Sequence, residues 1–285
     1  MQYSEKEEWD MVIQPQNGWL NLHLKDVWKY RDLMWLFVKR DFVAAYKQTI
    51  LGPLWHFIQP LFTTIVFLVV FGKIAKIPTD GIEPAVFYMS GITIWNYFTN
   101  CLNGTSNTFV ANAGIFGKVY FPRLVIPLSV VLSNVVKFCI QFLLLLLVMV
   151  YYGFKTHHFY IGLSWLFIPL LVAMMALMGL GLGIIISSLT TKYRDFTVLI
   201  GFGVQLLMYA TPVIYPLSYF EHSKYAVFIQ YNPLSPLVET FRYVLLGAGN
   251  CNTAILLYSG SVILLFLAIG LIIFNRVEKG FMDTV

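Results

Sequence analysis

Few residues in this chain combine a reactive type with a place to use it. Six long apolar blocks, at about 54–74, 86–109, 124–152, 160–189, 196–216 and 254–275, contain no Asp or Glu, and Lys137 is the one basic residue deep inside a block. Carriers coupled to Na⁺ or H⁺ use carboxylates at that depth, which argues against a secondary transporter. His23, His56, His157, His158 and His222 do not gather with carboxylates at ligand spacing, which argues against a metal centre and against acid–base catalysis. "NAGIFGKV" at 112–119 resembles a phosphate-binding loop only loosely. Asn112 stands where the first Gly is required, and Val119 where Ser or Thr would hold Mg²⁺. The expectation is a chain with no catalytic residue, no metal and no ATP hydrolysis of its own; if it performs driven work, the engine is another polypeptide.

The elements around these residues are those of a membrane protein. The chain is 58% hydrophobic, 17% aromatic and 12% charged, with mean hydropathy +0.72, more apolar surface than one soluble core buries. A bilayer-crossing helix takes roughly 20 residues, and each block is long enough. The expected fold is all-α and integral to the membrane, with six transmembrane helices in a domain over residues 51–285. Residues 1–50 form the expected cytoplasmic N-terminus. Its acidic start at Glu5, Glu7, Glu8 and Asp10 and the late first block speak against a cleaved signal peptide. With both termini cytoplasmic, only Lys73, Lys76, Lys155, Lys224 and Arg242 of the 19 Lys and Arg fall outside, Lys137 aside, and that asymmetry favours this orientation. A net charge of +5 suits the anionic cytoplasmic membrane surface rather than nucleic acid. Cys101, Cys139 and Cys251 are scattered and odd in number, so no disulfide or metal framework is implied.

Wound as a helix, Lys25, Lys29, Asp32, Lys39, Arg40 and Lys47 fall on one side. Val27, Tyr30, Met34, Trp35, Phe37, Val38 and Phe42 fall on the other, with Arg31 and Asp41 as exceptions. This predicts an N-terminal interfacial amphipathic helix whose cations meet lipid phosphates. Gly52-Pro53 then allows a sharp turn into the first span. Between spans five and six, residues 217–253 are too apolar for a free loop and are broken by Pro233 and Pro236. Two short re-entrant helices fit best. Irregular backbone at membrane depth is buried in protein or lines a wet path, so a periplasmic gate is expected there. Glu239 and Arg242, at i and i+3, can pair within it, either as a structural pair or as a substrate contact. The segments "IFGKVYFPRLVIP" (115–127) and "TTKYRDF" (190–196) are compact, aromatic and charged, which suits a partner-docking element and equally a tight turn. "GLGLG" (179–183) sets Gly179 and Gly183 four apart, as for close helix contact within one subunit.

Six stretches in order carry a resemblance: "VKRDFVAAYKQTILGPLW" (38–55), "YFPRLVIPLS" (120–129), "KYRDF" (192–196), "TPVIYP" (211–216), "NPLSPLVETFR" (232–242) and "FNRVEKGFMD" (274–283). The chain resembles the ATP-binding-cassette type 2 exporter permeases, in particular those for lipid-linked polysaccharide such as O-antigen, with teichoic-acid and capsule exporters as cousins. The likeness covers nearly all of residues 30–283. One departure is Ala45, where relatives often carry another basic residue before the tyrosine.

The resemblance implies one subunit of a larger machine. Two copies would form a homodimer around a central path and engage two copies of a nucleotide-binding ATPase, which holds ATP and Mg²⁺ while this chain binds no cofactor. Coupling to the ATPase then falls on Ile115, Phe116, Gly117, Lys118, Tyr120, Phe121 and Pro122, and on Lys192, Tyr193, Arg194 and Asp195. The implied substrate is a glycan on a polyprenyl diphosphate lipid, moved across the bacterial inner membrane. Lys39, Arg40 and Lys47 become candidates for drawing the diphosphate to a cytoplasmic entrance, beside the reading in which they anchor to anionic lipid. Rings pack on sugar faces, so Tyr88, Trp95, Tyr97, Phe98, Tyr209 and Tyr215 are candidate translocation-path residues, beside the reading as lipid-facing or belt aromatics. Lys137 snorkels, pairs with a carbonyl, or touches substrate. The alternatives are a type 2 exporter of teichoic acid, capsule, a drug or a small lipid, and an integral membrane transferase, against which the missing carboxylate and His constellation argues.

Overall fold

The computed structural model describes residues 24–47, 49–116, 118–119, 121–156, 162–193, 195–220, 223–224, 226–249 and 251–280. Among these residues the regular structure is helix, with no strand. The basic segment forms α1 (Leu24–Lys29) and α2 (Arg31–Tyr46). Lys47 is extended, Gly52 takes a left-handed φ of +48°, and a short turn at Gly52–Leu54 opening on Pro53 leads into α3 (Trp55–Phe67). The Gly-Pro pair thus makes the change of direction expected of it. α3 runs on as a π-helical segment, Leu68–Ile74. Then follow α4 (Pro84–Ser106), α5 (Thr108–Phe116), α6 (Val125–Thr156), α7 (Ile168–Thr190) and α8 (Phe196–Tyr209). Two short helices, α9 (Ala226–Tyr231) and α10 (Ser235–Leu246), precede α11 (Thr253–Gly280).

Four stretches, Gly52–Ile74, Val125–Thr156, Leu163–Thr190 and Thr253–Val277, are long and apolar enough to cross a membrane, and Phe196–Tyr209 is a shorter apolar helix. α4 has 23 residues but is diluted by Asn96, Asn100 and Asn103. Two expected blocks end early. The second breaks at Asn107 and restarts as α5. The fifth stops at Tyr209 rather than 216, because Pro212 disfavours helix at Thr211 and offers no N–H.

α4 stands at the centre, packed against α6 and α7, while α11 covers α7 and α2 lies along α6. The glycine face of α7 makes the α4 contact possible. A Cβ on Gly179 would meet Cys101 Cβ at 2.8 Å, and one on Gly183 would overlap Thr105 Oγ1. This is the close approach within one subunit that the glycine spacing predicts. A second core at the Asn107 end joins Val27 and Phe37 of the basic segment to Phe109, Phe116, Phe121, Ile184 and Phe274. The apolar residues of the basic segment therefore divide: Val27, Phe37 and Val38 are buried, whereas Trp28 and Trp35 are 68% and 67% exposed.

Candidate functional site

Past Tyr209 the chain leaves the helix through Pro216, and its carbonyls must find other donors. They find them in side chains of the segment itself and of α10 and the turn before it. Asn232 Nδ2 donates to Ala210 O and to Thr211 Oγ1, both at 3.0 Å, and Tyr215 OH donates to Tyr209 O at 2.8 Å. Arg242 reaches across from α10: Nη1 donates to Pro212 O at 2.6 Å and Nη2 to Val213 O at 2.5 Å. Glu239 Oε1 lies 3.6 Å from Arg242 Nη1 and accepts from Leu217 N at 3.0 Å. Both charges are buried, at 1% exposure for Arg242 and 3% for Glu239. The guanidinium sits 3.8 Å from the centre of the Phe87 ring on α4, and Gly91 leaves it room, since a Cβ there would lie 2.5 Å from Nη2. In this arrangement the pair ties α10 to the unwound segment and to α4. Beside Glu239 lies a cavity of about 330 Å³ lined also by Asp80, Ser218 and Gln230, with Ser218 Oγ donating to Asp80.

The two segments singled out for docking follow from the opposite end of α4, where α5 is joined to the end of α7. Thr190 Oγ1 donates to Ser106 O at 3.2 Å, and Phe109 N donates to Ser187 Oγ at 3.3 Å, so the start of α5 is tied to the end of α7. Phe116 and Phe121 point inward with ring centres 5.8 Å apart, and Phe121 is 5.8 Å from Phe37 of α2. Ile115 and Pro122 are half-buried, and Lys118, Val119, Lys192, Tyr193 and Asp195 are exposed. The arrangement is an aromatic root with a charged exposed rim, continuous with α2. Gly117, Tyr120 and Arg194 lie outside the described residues. Asn112 through Phe116 are helical, and Asn112 Nδ2 donates to Thr108 O.

Lys39, Arg40 and Lys47 are all exposed. Arg40 is engaged, with Nη2 2.7 Å from Asp41 Oδ1 and its guanidinium 4.7 Å from the Phe37 ring centre. At the end of α2, burial pushes the Tyr46 phenol up from its ordinary pKa, and its ring meets His56 edge-on at 5.7 Å. The candidate path aromatics separate by burial. Tyr88, Trp95, Tyr97, Phe98 and Tyr215 are at most 7% exposed. Their rings pack within the protomer, Trp95 on Phe98 at 5.3 Å and Tyr97 on Phe138 at 5.1 Å. Tyr209 is 60% exposed. Lys137 is half-buried and its Nζ donates to Asn134 Oδ1 at 3.0 Å. Sequence reasoning missed Asn232, Phe87 and Gly91; a buried Arg requires several acceptors, but nothing in the spacing says which carbonyls supply them. No group of three or more His, Cys, Asp or Glu side chains suited to a metal occurs among the described residues.

Long apolar helices around a buried central one, with a charged exposed rim at one end, are those of a multi-pass membrane protein. Residues 32–246 match the family model described as ABC-2 type transporter, more than half of the chain, and the chain belongs to that family. It is similar to two Klebsiella pneumoniae proteins, each named O-antigen export system permease protein RfbA. They are 29% and 28% identical over 254 residues, 88% of this chain and 94% of each relative. A Myxococcus xanthus protein of the same name is 27% identical over 224 residues, 78% of this chain and 83% of the relative. The family is one of transporters, so the chain is a transport subunit rather than a catalytic enzyme.

Proposed function

We propose that this chain is the transmembrane subunit of an ATP-driven exporter that moves lipid-linked polysaccharide, O-antigen first among the candidates, across the bacterial inner membrane. The supporting observation is that relatives matched over 88% of the chain are named as O-antigen export permeases. Two copies form a homodimer and bind two copies of a separate ATPase, which holds ATP and Mg²⁺; this chain holds no cofactor. α3, α4, α6, α7, α8 and α11 are the six spans, α9 and α10 are re-entrant from the outer face, and both termini are cytoplasmic. The rim of Lys118, Lys192, Tyr193 and Asp195 meets the ATPase, with Phe116 and Phe121 as its root. Lys39 and Lys47, more than the paired Arg40, draw the polyprenyl diphosphate to the entrance. Glu239 and Arg242 hold the outer gate. Tyr209 and Lys137 border the path, and the five buried rings shape its wall from behind.

The test is reconstitution of the chain with its ATPase subunit in lipid, with ATP turnover measured with and without a polyprenyl-diphosphate polysaccharide. Stimulation of turnover is expected. A complex indifferent to the glycan lipid would remove the cargo, and failure to bind any ATPase would remove the whole reading.

A further inference from the structure

α4 is nearly enclosed, yet one line of its residues keeps accessible surface. Asn96, Asn100 and Asn103 follow one another at steps of four and three, which at the α-helical rotation places them within an arc of about 60° along about 10 Å, and Asn107, the residue that ends α4, comes four further on. Asn103 is exposed and the other three are half-buried, while Thr93, Tyr97, Phe98, Cys101, Leu102 and Thr105 around them are buried. Among the described residues, the side-chain amides of these four make no hydrogen bond. The asparagines elsewhere behave differently: Asn112, Asn134, Asn232 and Asn252 are each engaged through the side chain. Each primary amide carries two donors and an acceptor, and exposing four to acyl chains leaves all of them unsatisfied at a cost of kcal/mol each. A row of idle amides on a helix in an apolar bundle therefore calls for a polar neighbour.

The surroundings fit such a neighbour. Past the break at Asn107, Ala111 and Gly114 of α5 are both exposed, with nothing within 4 Å of a Cβ placed on Gly114. Gly104 flanks the row, and a Cβ there would lie 3.7 Å from Asn134 Nδ2, so the Lys137–Asn134 pair borders it. The row thus runs from mid-α4 toward the end where the docking rim lies. Neutral amides both donate to and accept from hydroxyls, and a series of weak, equivalent contacts lets a polymer move from one to the next instead of being held.

We propose that the Asn96–Asn100–Asn103–Asn107 stripe of α4 lines the water-filled export path and hydrogen-bonds the hydroxyls of the passing glycan, with Lys137 at its margin. This rests on the exporter reading above and assigns the substrate-contacting face within it. The experiment places single cysteines by Asn96→Cys, Asn100→Cys, Asn103→Cys and Asn107→Cys. The background carries Cys139→Ser and Cys251→Ser, and fully buried Cys101 is kept. The full complex with its ATPase, in lipid discs, is treated with a small charged methanethiosulfonate. Thiols react as thiolates, which form in water and not in hydrocarbon, so each site is expected to label about ten-fold or more faster than Leu147→Cys, a control on an exposed face of α6. Polyprenyl-diphosphate polysaccharide should then slow the labelling several-fold.

Labelling no faster than the control at all four sites overturns the proposal. Labelling indifferent to a glycan lipid that stimulates the wild-type ATPase overturns the substrate contact. Failure of the exporter reading shows elsewhere, as no glycan stimulation of the wild-type complex, while the labelling rates still report whether the stripe faces water. In export assays Asn100→Leu with Asn103→Leu should lose about ten-fold or more of the rate, and Asn100→Gln with Asn103→Gln should retain most of it. Equal rates for the two pairs also overturn the proposal.

Discussion

At the scale of single residues, Arg242 shows how a charge is kept in an apolar bundle. Its two terminal nitrogens end on the carbonyls that Pro212 and the unwinding beyond Tyr209 set free, and Glu239 balances the charge. Removing one partner of a buried pair leaves the other uncompensated. Arg242→Met is expected to destabilise the purified protein by about 3–5 kcal/mol, read from denaturant unfolding in detergent, and the double change with Glu239→Gln by less than the sum of the two single changes, because the two side chains act as one unit. Strictly additive losses would show that the pair is not coupled. The i, i+3 spacing of Glu239 and Arg242 was legible in the sequence. The carbonyls that accept from Arg242 lie 29 and 30 positions away, in a segment the hydropathy pattern extends as helix, so they were not.

At the scale of elements, contact between helices is set by what their backbones can approach. Gly183 sits against Thr105 and the carbonyl of Leu102, whereas Gly201 of α8 has open space around it. Gly183→Leu should lower stability by about 1–3 kcal/mol or more through overpacking, while Gly201→Leu should change it little; thermal unfolding of both variants decides, and equal effects would mean that the α4–α7 contact is not tight. The same scale explains why the sequence shows an apolar block at α4 although this helix is not among the four stretches apolar enough to cross a membrane. Its protein-facing sides supply the apolar residues, and its asparagines occupy the one line that packing leaves free. That line has helical spacing and was present in the sequence. The large aromatic residues of α4, Tyr88, Trp95, Tyr97 and Phe98, are by contrast packed within the protomer.

At the scale of the whole molecule, the two ends of α4 carry different chemistry: a closed ionic clamp at one, and a charged rim on an aromatic root at the other. Lys192→Glu with Asp195→Lys should reduce stimulation of the partner ATPase several-fold while leaving the melting temperature unchanged, since both side chains are exposed; undiminished stimulation would take this loop out of the interface. On α2 and its cap, Lys39→Gln and Lys47→Gln should each weaken binding of an anionic lipid-linked substrate by roughly five-fold, the effect of about 1 kcal/mol per cation near a charged membrane surface. Arg40→Gln should do less, because Asp41 already holds its guanidinium at 2.7 Å. A vesicle-binding titration compares the three, and a larger loss at Arg40 would reverse the assignment.

Sequence by itself determined the class of this protein, because the length and hydropathy of apolar blocks follow from bilayer thickness and from the need to pair every backbone group inside it. It also determined the turn at Gly52-Pro53 and the glycine face of α7, since both are local properties of residues close together in the chain. Only the tertiary structure decided which side chains are occupied and which are idle. That Asn232 and Arg242 cap the unwound segment, that Phe37 shares a core with Phe116 and Phe121, and that three asparagines of α4 and the one at its end stay unpaired all depend on which distant helix covers which face. Periodicity places a residue on a face of its own helix, and long-range packing alone says what that face meets.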